Sequence, residues 1–106
     1  MFARNVSIHL KPSSSVAFTK QIENETIPAL RKQKGFQGEL TLLAPGGTDA
    51  VAISLWDKEE NAEAYARTGY PEVLKNLTKF FEGTPKVQTY EVANSTFHKI
   101  AATVAV

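Results

Sequence analysis

The feature that most constrains this chain is a change of period in its apolar residues, from alternation to helical spacing and back, twice over. Val6, Ile8 and Leu10 alternate with Asn5, Ser7 and His9, the pattern of a strand with one buried face. Lys11-Pro12 ends it, and Ser13-Ser14-Ser15 offers hydroxyls to cap a helix. From Val16 to Gln33 the spacing turns helical, with Phe18, Ile22, Thr26, Ala29 and Leu30 on one stripe. Pro28 falls inside that stripe and predicts a kink or a shortened regular part of the helix, because it removes one intrahelical bond. Gly35 stops the helix.

Alternation returns in Gln37 to Leu43, where Leu40 and Leu42 share a face with Gly38. It returns again in Ala50 to Trp56, with Val51, Ile53 and Leu55 against Ala52, Ser54 and Trp56. The loop between them, Ala44-Pro45-Gly46-Gly47-Thr48-Asp49, predicts an antiparallel hairpin. Asp57 reads as an N-cap with Glu60 completing a capping box. The helix that follows breaks at Thr68-Gly69 and restarts near Pro71, with Tyr70, Val73, Leu74, Leu77, Phe80 and Phe81 at helical spacing. Val87 to Ala93 predicts a fourth strand. The tail from about residue 95 reads as a short fifth strand or as an arm exchanged with a partner, and it carries His98 as an exposed residue.

The resulting order is β-α-β-β-α-β, an α+β chain of the ferredoxin-like type forming one domain over 1–106. Its sheet is antiparallel with helices on one face. Such a sheet leaves its second face wet only if that face is polar. Here both strand faces carry apolar or aromatic residues, Leu42 and Trp56 among them. That predicts a second copy of the chain over the open face, hence a homodimer.

Composition narrows the function classes. A net charge of +1 and no basic run longer than two argue against nucleic acid as a partner. The absence of cysteine excludes thiol nucleophiles and thiolate metal sites. No apolar run approaches the roughly 18 residues of a membrane span. The first residues lack the basic and apolar segments of a secretory signal, so the expected location is the cytoplasm. Gly46-Gly47 lacks the Lys and helix of a phosphate loop. The two histidines have no acidic cluster beside them in sequence, so neither metal nor cofactor is expected.

The stretch Ile53-Ser54-Leu55-Trp56-Asp57-Lys58-Glu59-Glu60-Asn61-Ala62-Glu63-Ala64-Tyr65 resembles the signature of the antibiotic-biosynthesis-monooxygenase domain, in which a strand ends in Trp and runs into an acidic, Ala-rich helix bearing an aromatic residue. Ile27-Pro28-Ala29-Leu30-Arg31-Lys32-Gln33-Lys34-Gly35-Phe36 is similar to the family's first helix and its Gly-Phe exit. The resemblance implies a dimeric α+β barrel. It also implies one of several functions: cofactor-independent oxygenation of a phenolic or quinol-like small molecule, heme degradation, or ligand binding without turnover. For heme, Asn5 and Tyr65 match two of the family's positions, but Lys75 stands where that branch has its His, so iron lacks its expected axial ligand.

An oxygenase of this kind needs a base to ionise its substrate and donors to hold the anion. The resemblance and the strand pattern nominate His9 or Tyr65 for the first task and Asn5 and Trp56 for the second. The structural alternatives are a strand-end His9, an Asn5 that satisfies local backbone groups and a core Trp56. Glu39 and Glu91 fall on strands and read as exposed carboxylates. The alternative to an enzyme is a non-catalytic dimeric small-molecule-binding or stress-response module.

Overall fold

The computed structural model describes residues 1–97, so His98 and the predicted tail beyond residue 97 lie outside the described residues. The alternating segment at the start forms β1 (Phe2–His9). It takes a central place because it can pair on both edges, with β3 (Asp49–Trp56) and with β4 (Lys86–Glu91), antiparallel in each case. β2 (Phe36–Leu43) pairs with β3 through the predicted hairpin, which gives the strand order β2-β3-β1-β4. This is the α+β ferredoxin-like arrangement, with all helices on one face of the sheet.

The first helical segment comprises α1 (Ser15–Gln21), a π turn (Ile22–Thr26) and α2 (Ile27–Arg31). The regular helix is shortened around Pro28: the backbone widens one turn earlier, and the Ile27 N–H donates to the Ile22 carbonyl five residues back. Pro28 has no N–H to give to the preceding turn, so the adjacent wide turn accommodates it without an orphaned partner inside a regular helix. Phe18, Ile22, Thr26 and Leu30 are all buried, as the stripe predicts. Gly35 follows with φ +83, and a Cβ there would lie 2.3 Å from Asp57 Oδ1. Only glycine fits where its carbonyl receives the Asp57 N–H at 2.9 Å.

The second helical segment comprises α3 (Glu59–Arg67), α4 (Gly69–Leu77) and a short 3₁₀ turn (Thr78–Phe80). The expected capping box does not form. Lys58 takes the N-cap position, and the Asp57 carboxylate instead receives the Asn61 side-chain N–H at 2.7 Å. That bond holds the Asp57 carboxyl below its ordinary value.

Two apolar clusters fill the space between helices and sheet. One is aliphatic and phenylalanine-rich: Val6, Ile8, Leu10, Phe18, Ile22, Ala50, Leu77 and Phe81. The other is aromatic: Trp56 and Tyr65 with Leu30 and Ala62, edged by Phe2, Phe36 and Tyr70. Leu10, Phe18 and Trp56 are fully enclosed, and each such side chain contributes roughly 1.5–3 kcal/mol by leaving water.

Candidate functional site

The pairing register lays one row of side chains across the helix-facing side of the sheet. Glu39 on β2 stands opposite Ser54 on β3; Ser54 stands opposite Arg4 on β1; Arg4 stands opposite Thr89 on β4. Arg4 is in phase with Val6, Ile8 and Leu10, so the alternation that buries those three also buries a guanidinium. Its exposure is 4 %. A buried charge is costly unless paired, and among the described residues no carboxylate pairs with it.

Aromatic faces surround that guanidinium instead. Its carbon lies 4.3 Å from the centre of the Tyr70 ring and 5.4 Å from that of Tyr65. Cation–π attraction and a hydrogen bond with Tyr70 offset part of the lost hydration. Burial still lowers the Arg4 pKa from its ordinary value, and the same burial raises both tyrosines, Tyr65 to about 12. Both phenols therefore keep their protons at neutral pH and remain hydrogen-bond donors.

Tyr65 is held from three sides. It stacks on Trp56 at 4.9 Å between ring centres, meets Tyr70 edge-on at 6.1 Å, and lies against Gly69. A Cβ at Gly69 would sit 2.8 Å from the Tyr65 ring, so the break between α3 and α4 is also what makes room for this side chain. Behind Tyr65, the Trp56 indole N–H donates to Ser54 Oγ at 2.9 Å, and Phe36 packs edge-on at 5.7 Å.

A cavity of about 50 Å³ opens beside this cluster. Arg4, Ser54, Tyr65, Tyr70 and Glu39 mark its polar part, and Val6, Ile8, Ile22, Leu74 and Phe81 are among its apolar walls. The expectation that Glu39 is an exposed strand carboxylate is corrected here. It is half-buried at the cavity rim, receives the Thr41 hydroxyl at 2.6 Å, and burial raises its pKa from the ordinary value against that bond. Glu91 is exposed, as expected.

A larger groove of about 260 Å³ runs over the outside between the two helical segments, past Gln21, Glu25, Gln33, Gly69 and Asn76. Thr26 and Val73 line both spaces. The cavity and the surface groove thus share those two side chains.

The sequence reading grouped Asn5, His9, Trp56 and Tyr65. The sheet brings two of them together and separates the others. Tyr65 lines the cavity, and Trp56 backs it with its only donor already given to Ser54. Asn5 pairs in register with Ile53 and Gln88 and faces away from the helices, because it is out of phase with Arg4 and Val6. His9 is exposed at the strand end, with Nδ1 2.8 Å from Asp49 Oδ1 and Nε2 3.9 Å from Glu82 Oε2. Arg4, Ser54 and Glu39 were missed as site residues. The signal was present for two of them: Arg4 is in phase with Val6, Ile8 and Leu10, and Ser54 with Ala50 and Trp56, whereas Glu39 shares its side of β2 with Thr41 and gave no such sign. Among the described residues no group of three metal-ligating side chains forms, and no helix is long and apolar enough to cross a membrane.

An α+β fold with a four-stranded antiparallel sheet and helices on one face is the fold of the antibiotic-biosynthesis-monooxygenase proteins. No protein-family model matches the sequence, and no curated protein matches it. Solved structures do match. A monooxygenase from the gene ActVA-Orf6 of Streptomyces coelicolor, in complex with nanaomycin D, superposes with a TM-score of 0.76 at 17% identity, over 89% of this chain and 88% of that one. A variant of SnoaB, a cofactor-independent oxygenase from Streptomyces nogalater, gives 0.71 at 15% identity, over 90% and 95%. A variant of MhuD with two manganese protoporphyrin IX bound per active site gives 0.73 at 14% identity, over 91% and 98%. At these identities the likeness is one of fold.

Proposed function

We propose that this chain is a cofactor-independent monooxygenase of the antibiotic-biosynthesis-monooxygenase type, acting on an aromatic or quinol-like small molecule in the cytoplasm. The observation that carries the reading is the buried, donor-rich end of the cavity, where Arg4, Tyr65 and Tyr70 converge beside apolar walls. Apolar cavities with a few converging polar groups are the usual form of small-molecule sites. The matching structures of a monooxygenase with nanaomycin D and of a cofactor-independent oxygenase support the same chemistry. In such a reaction the substrate supplies the electrons: an activated methylene and O₂ give a carbonyl and water. Tyr65 would touch the substrate and Trp56 would position Tyr65. Asn5 and His9 lie outside this cavity and take no part in that scheme.

The test is oxygen uptake with anthrone or 1,4-naphthalenediol. Uptake above the uncatalysed rate that falls in Tyr65→Phe and Arg4→Met supports the reading; none with either substrate rejects it. A second reading, a binding module without turnover, draws on the small volume of the cavity, about 50 Å³, which is less than such a ring system occupies. A ligand that raises Tm while consuming no oxygen favours it. Lys75 is exposed on α4, and hemin titration is expected to leave the Soret band unshifted.

The protein is further proposed to be a homodimer through the outer face of the sheet. Leu40, Leu42 and Tyr90 are 52 %, 48 % and 51 % exposed there, beside the half-buried Val51, Ile53 and Leu55. A contiguous apolar face of this kind marks an interaction surface. Sedimentation at dimer mass for the wild type and monomer mass for the double variant Leu40→Lys/Leu42→Lys supports it; a monomeric wild type rejects it.

A further inference from the structure

The outer groove of about 260 Å³ differs from the cavity beneath it, because its charges are all of one sign. Gln21, Glu25, Ala29 and Gln33 recur at intervals of four along the first helical segment and the turn after it, and form one wall. Gly69, Glu72 and Asn76 recur along α4 at the three-and-four spacing of one helix face, and form the other. The walls run antiparallel, since Gln33 lies at the Gly69 end: its Nε2 would be 3.1 Å from a Cβ at Gly69. Two carboxylates, Glu25 and Glu72, line the groove, and no lysine, arginine or histidine does. Neither is in an ion pair among the described residues. The Gln21 amide that donates to Glu25 carries no charge.

Acidic pairs are common on surfaces, and Thr26 is what sets this one apart. Other helical threonines give their hydroxyls to the carbonyl four residues back: Thr19 to Ser15, Thr68 to Ala64 and Thr78 to Leu74. Thr26 does not, because in the π turn the Ile22 carbonyl receives the Ile27 N–H instead. Thr26 is 8 % exposed, and its hydroxyl has no hydrogen-bond partner among the described residues. No fully enclosed side-chain oxygen among them lacks a partner, so this oxygen opens into a space that Thr26 lines, of which the groove is the larger. A nearly buried hydroxyl is costly to leave unpaired, so it favours a ligand that brings it a donor.

We propose that the groove binds an alkyl diammonium ion of the class of 1,4-diaminobutane. A helix rises about 1.5 Å per residue, so Glu72 stands roughly 4.5 Å along the groove from its Gly69 end and Glu25 roughly 12 Å along it. The carboxylates are thus staggered by about 7 Å on opposite walls, which suits the two nitrogens of a four- or five-carbon chain. The methylenes lie over Ala29 and Val73. Each ammonium carries three N–H donors. One end meets Glu25, the Thr26 hydroxyl and the Asn76 side-chain carbonyl; the other meets Glu72 and the Gln33 side-chain carbonyl, with water taking its third donor. A monoammonium ion fills one end alone. A metal ion is a poorer occupant, since no group of three metal-ligating side chains forms among the described residues. A sugar finds no aromatic ring along the groove to stack on. The site uses neither Arg4 nor Tyr65, so it stands apart from the reaction proposed for the cavity.

The experiment is calorimetric titration of the full chain with 1,4-diaminobutane at low ionic strength, beside 1-aminobutane and sodium chloride at matched ionic strength. One diamine is expected to bind per chain, and salt is expected to weaken it by screening exposed charge. Glu25→Gln and Glu72→Gln are each expected to weaken binding about fivefold, the upper end for an exposed ion pair, and 1-aminobutane to bind the wild type more weakly by a similar factor. Thr26→Val keeps the side-chain shape, and its loss of one hydrogen bond is expected to weaken binding about threefold. Glu63→Gln, an exposed position on α3 outside the groove, is expected to leave binding unchanged. Tm confirms that each variant is folded. Heat no greater than that of the salt control overturns the proposal, and so does 1-aminobutane binding as tightly as the diamine. Wild-type affinity in the Glu25→Gln/Glu72→Gln double variant removes the diamine from this groove. An equal loss in Glu63→Gln reduces the effect to general charge attraction and also overturns the site. Wild-type affinity in Thr26→Val overturns the part given to its hydroxyl.

Discussion

The two ends of the space between sheet and helices are built on different terms. At one end Leu10, Phe18, Ile22, Leu77 and Phe81 interlock, with Phe18 edge-on to Phe81 at 6.3 Å. Nothing there needs a hydrogen bond, and packing alone accounts for its stability. At the other end Trp56 stacks on Tyr65, and Tyr65 and Tyr70 in turn lie against a guanidinium. A chain selected only for stability would place an aliphatic residue at position 4. The first end explains why the protein folds, and the second carries the candidate site.

Substitutions at each end test that contrast, the largest effect first. Phe18→Ala should destabilise by about 3–5 kcal/mol in urea unfolding, the usual range for emptying a phenylalanine site. Arg4→Met should do the opposite and leave stability unchanged or raise it by about 1 kcal/mol, since replacing buried charge with apolar volume is often neutral or stabilising. If Arg4→Met instead costs as much as Phe18→Ala, both ends are plain core and the contrast is broken.

Tyr65 sharpens the comparison through pH. Its folded pKa, about 12, lies above the ordinary 10, so the stability it contributes is complete below 10 and is lost as pH rises through 12. Alkaline unfolding should therefore move to higher pH in Tyr65→Phe, which has no phenol to ionise. Glu39 gives the smallest effect. Its pKa is raised by burial, so folding favours its protonated form, and that advantage is lost as pH climbs through the raised value. At neutral pH Glu39→Gln should raise the unfolding free energy slightly, by less than about 1 kcal/mol given its partial exposure, and the gain should vanish in acid.

The fold was readable because burial and alternation coincide. Val6, Ile8 and Leu10 announce β1, and the Gly-rich loop announces the hairpin. The open face was readable for a subtler reason. Val51, Ile53 and Leu55, the larger aliphatic row of β3, point away from the helices, while Ala50, Ala52 and Ser54 point toward them. The small row leaves the room that the cavity occupies. The site was less readable because its central residue is charged. A lysine or arginine at the start of an alternating run is naturally read as the end of the buried face, and only the pairing of Arg4 with Ser54 and Thr89 shows that the face continues through it. Asn5 drew attention by resemblance, but a strand turns each successive side chain to the other side, and one residue of phase separates a cavity wall from an outer face. The missing Asp57 cap follows from Asn61, whose amide binds the carboxylate first.

The wide turn at Ile22–Thr26 also sets an angle. Residues four apart on a regular α-helix drift by about 40° per step, so over Phe18, Ile22, Thr26 and Leu30 a uniform helix would carry the last about 120° away from the first. All four are nonetheless buried. The π turn advances fewer degrees per residue and draws the row back into line, so Leu30 meets Trp56 and the chain leaves for β2 in the right direction. Glu23, Asn24 and Glu25 on its outer side are exposed. For folding, their identities are therefore open to change while their number is not: deleting any one would rewind the turn and swing everything beyond it by about 100° around the helix axis.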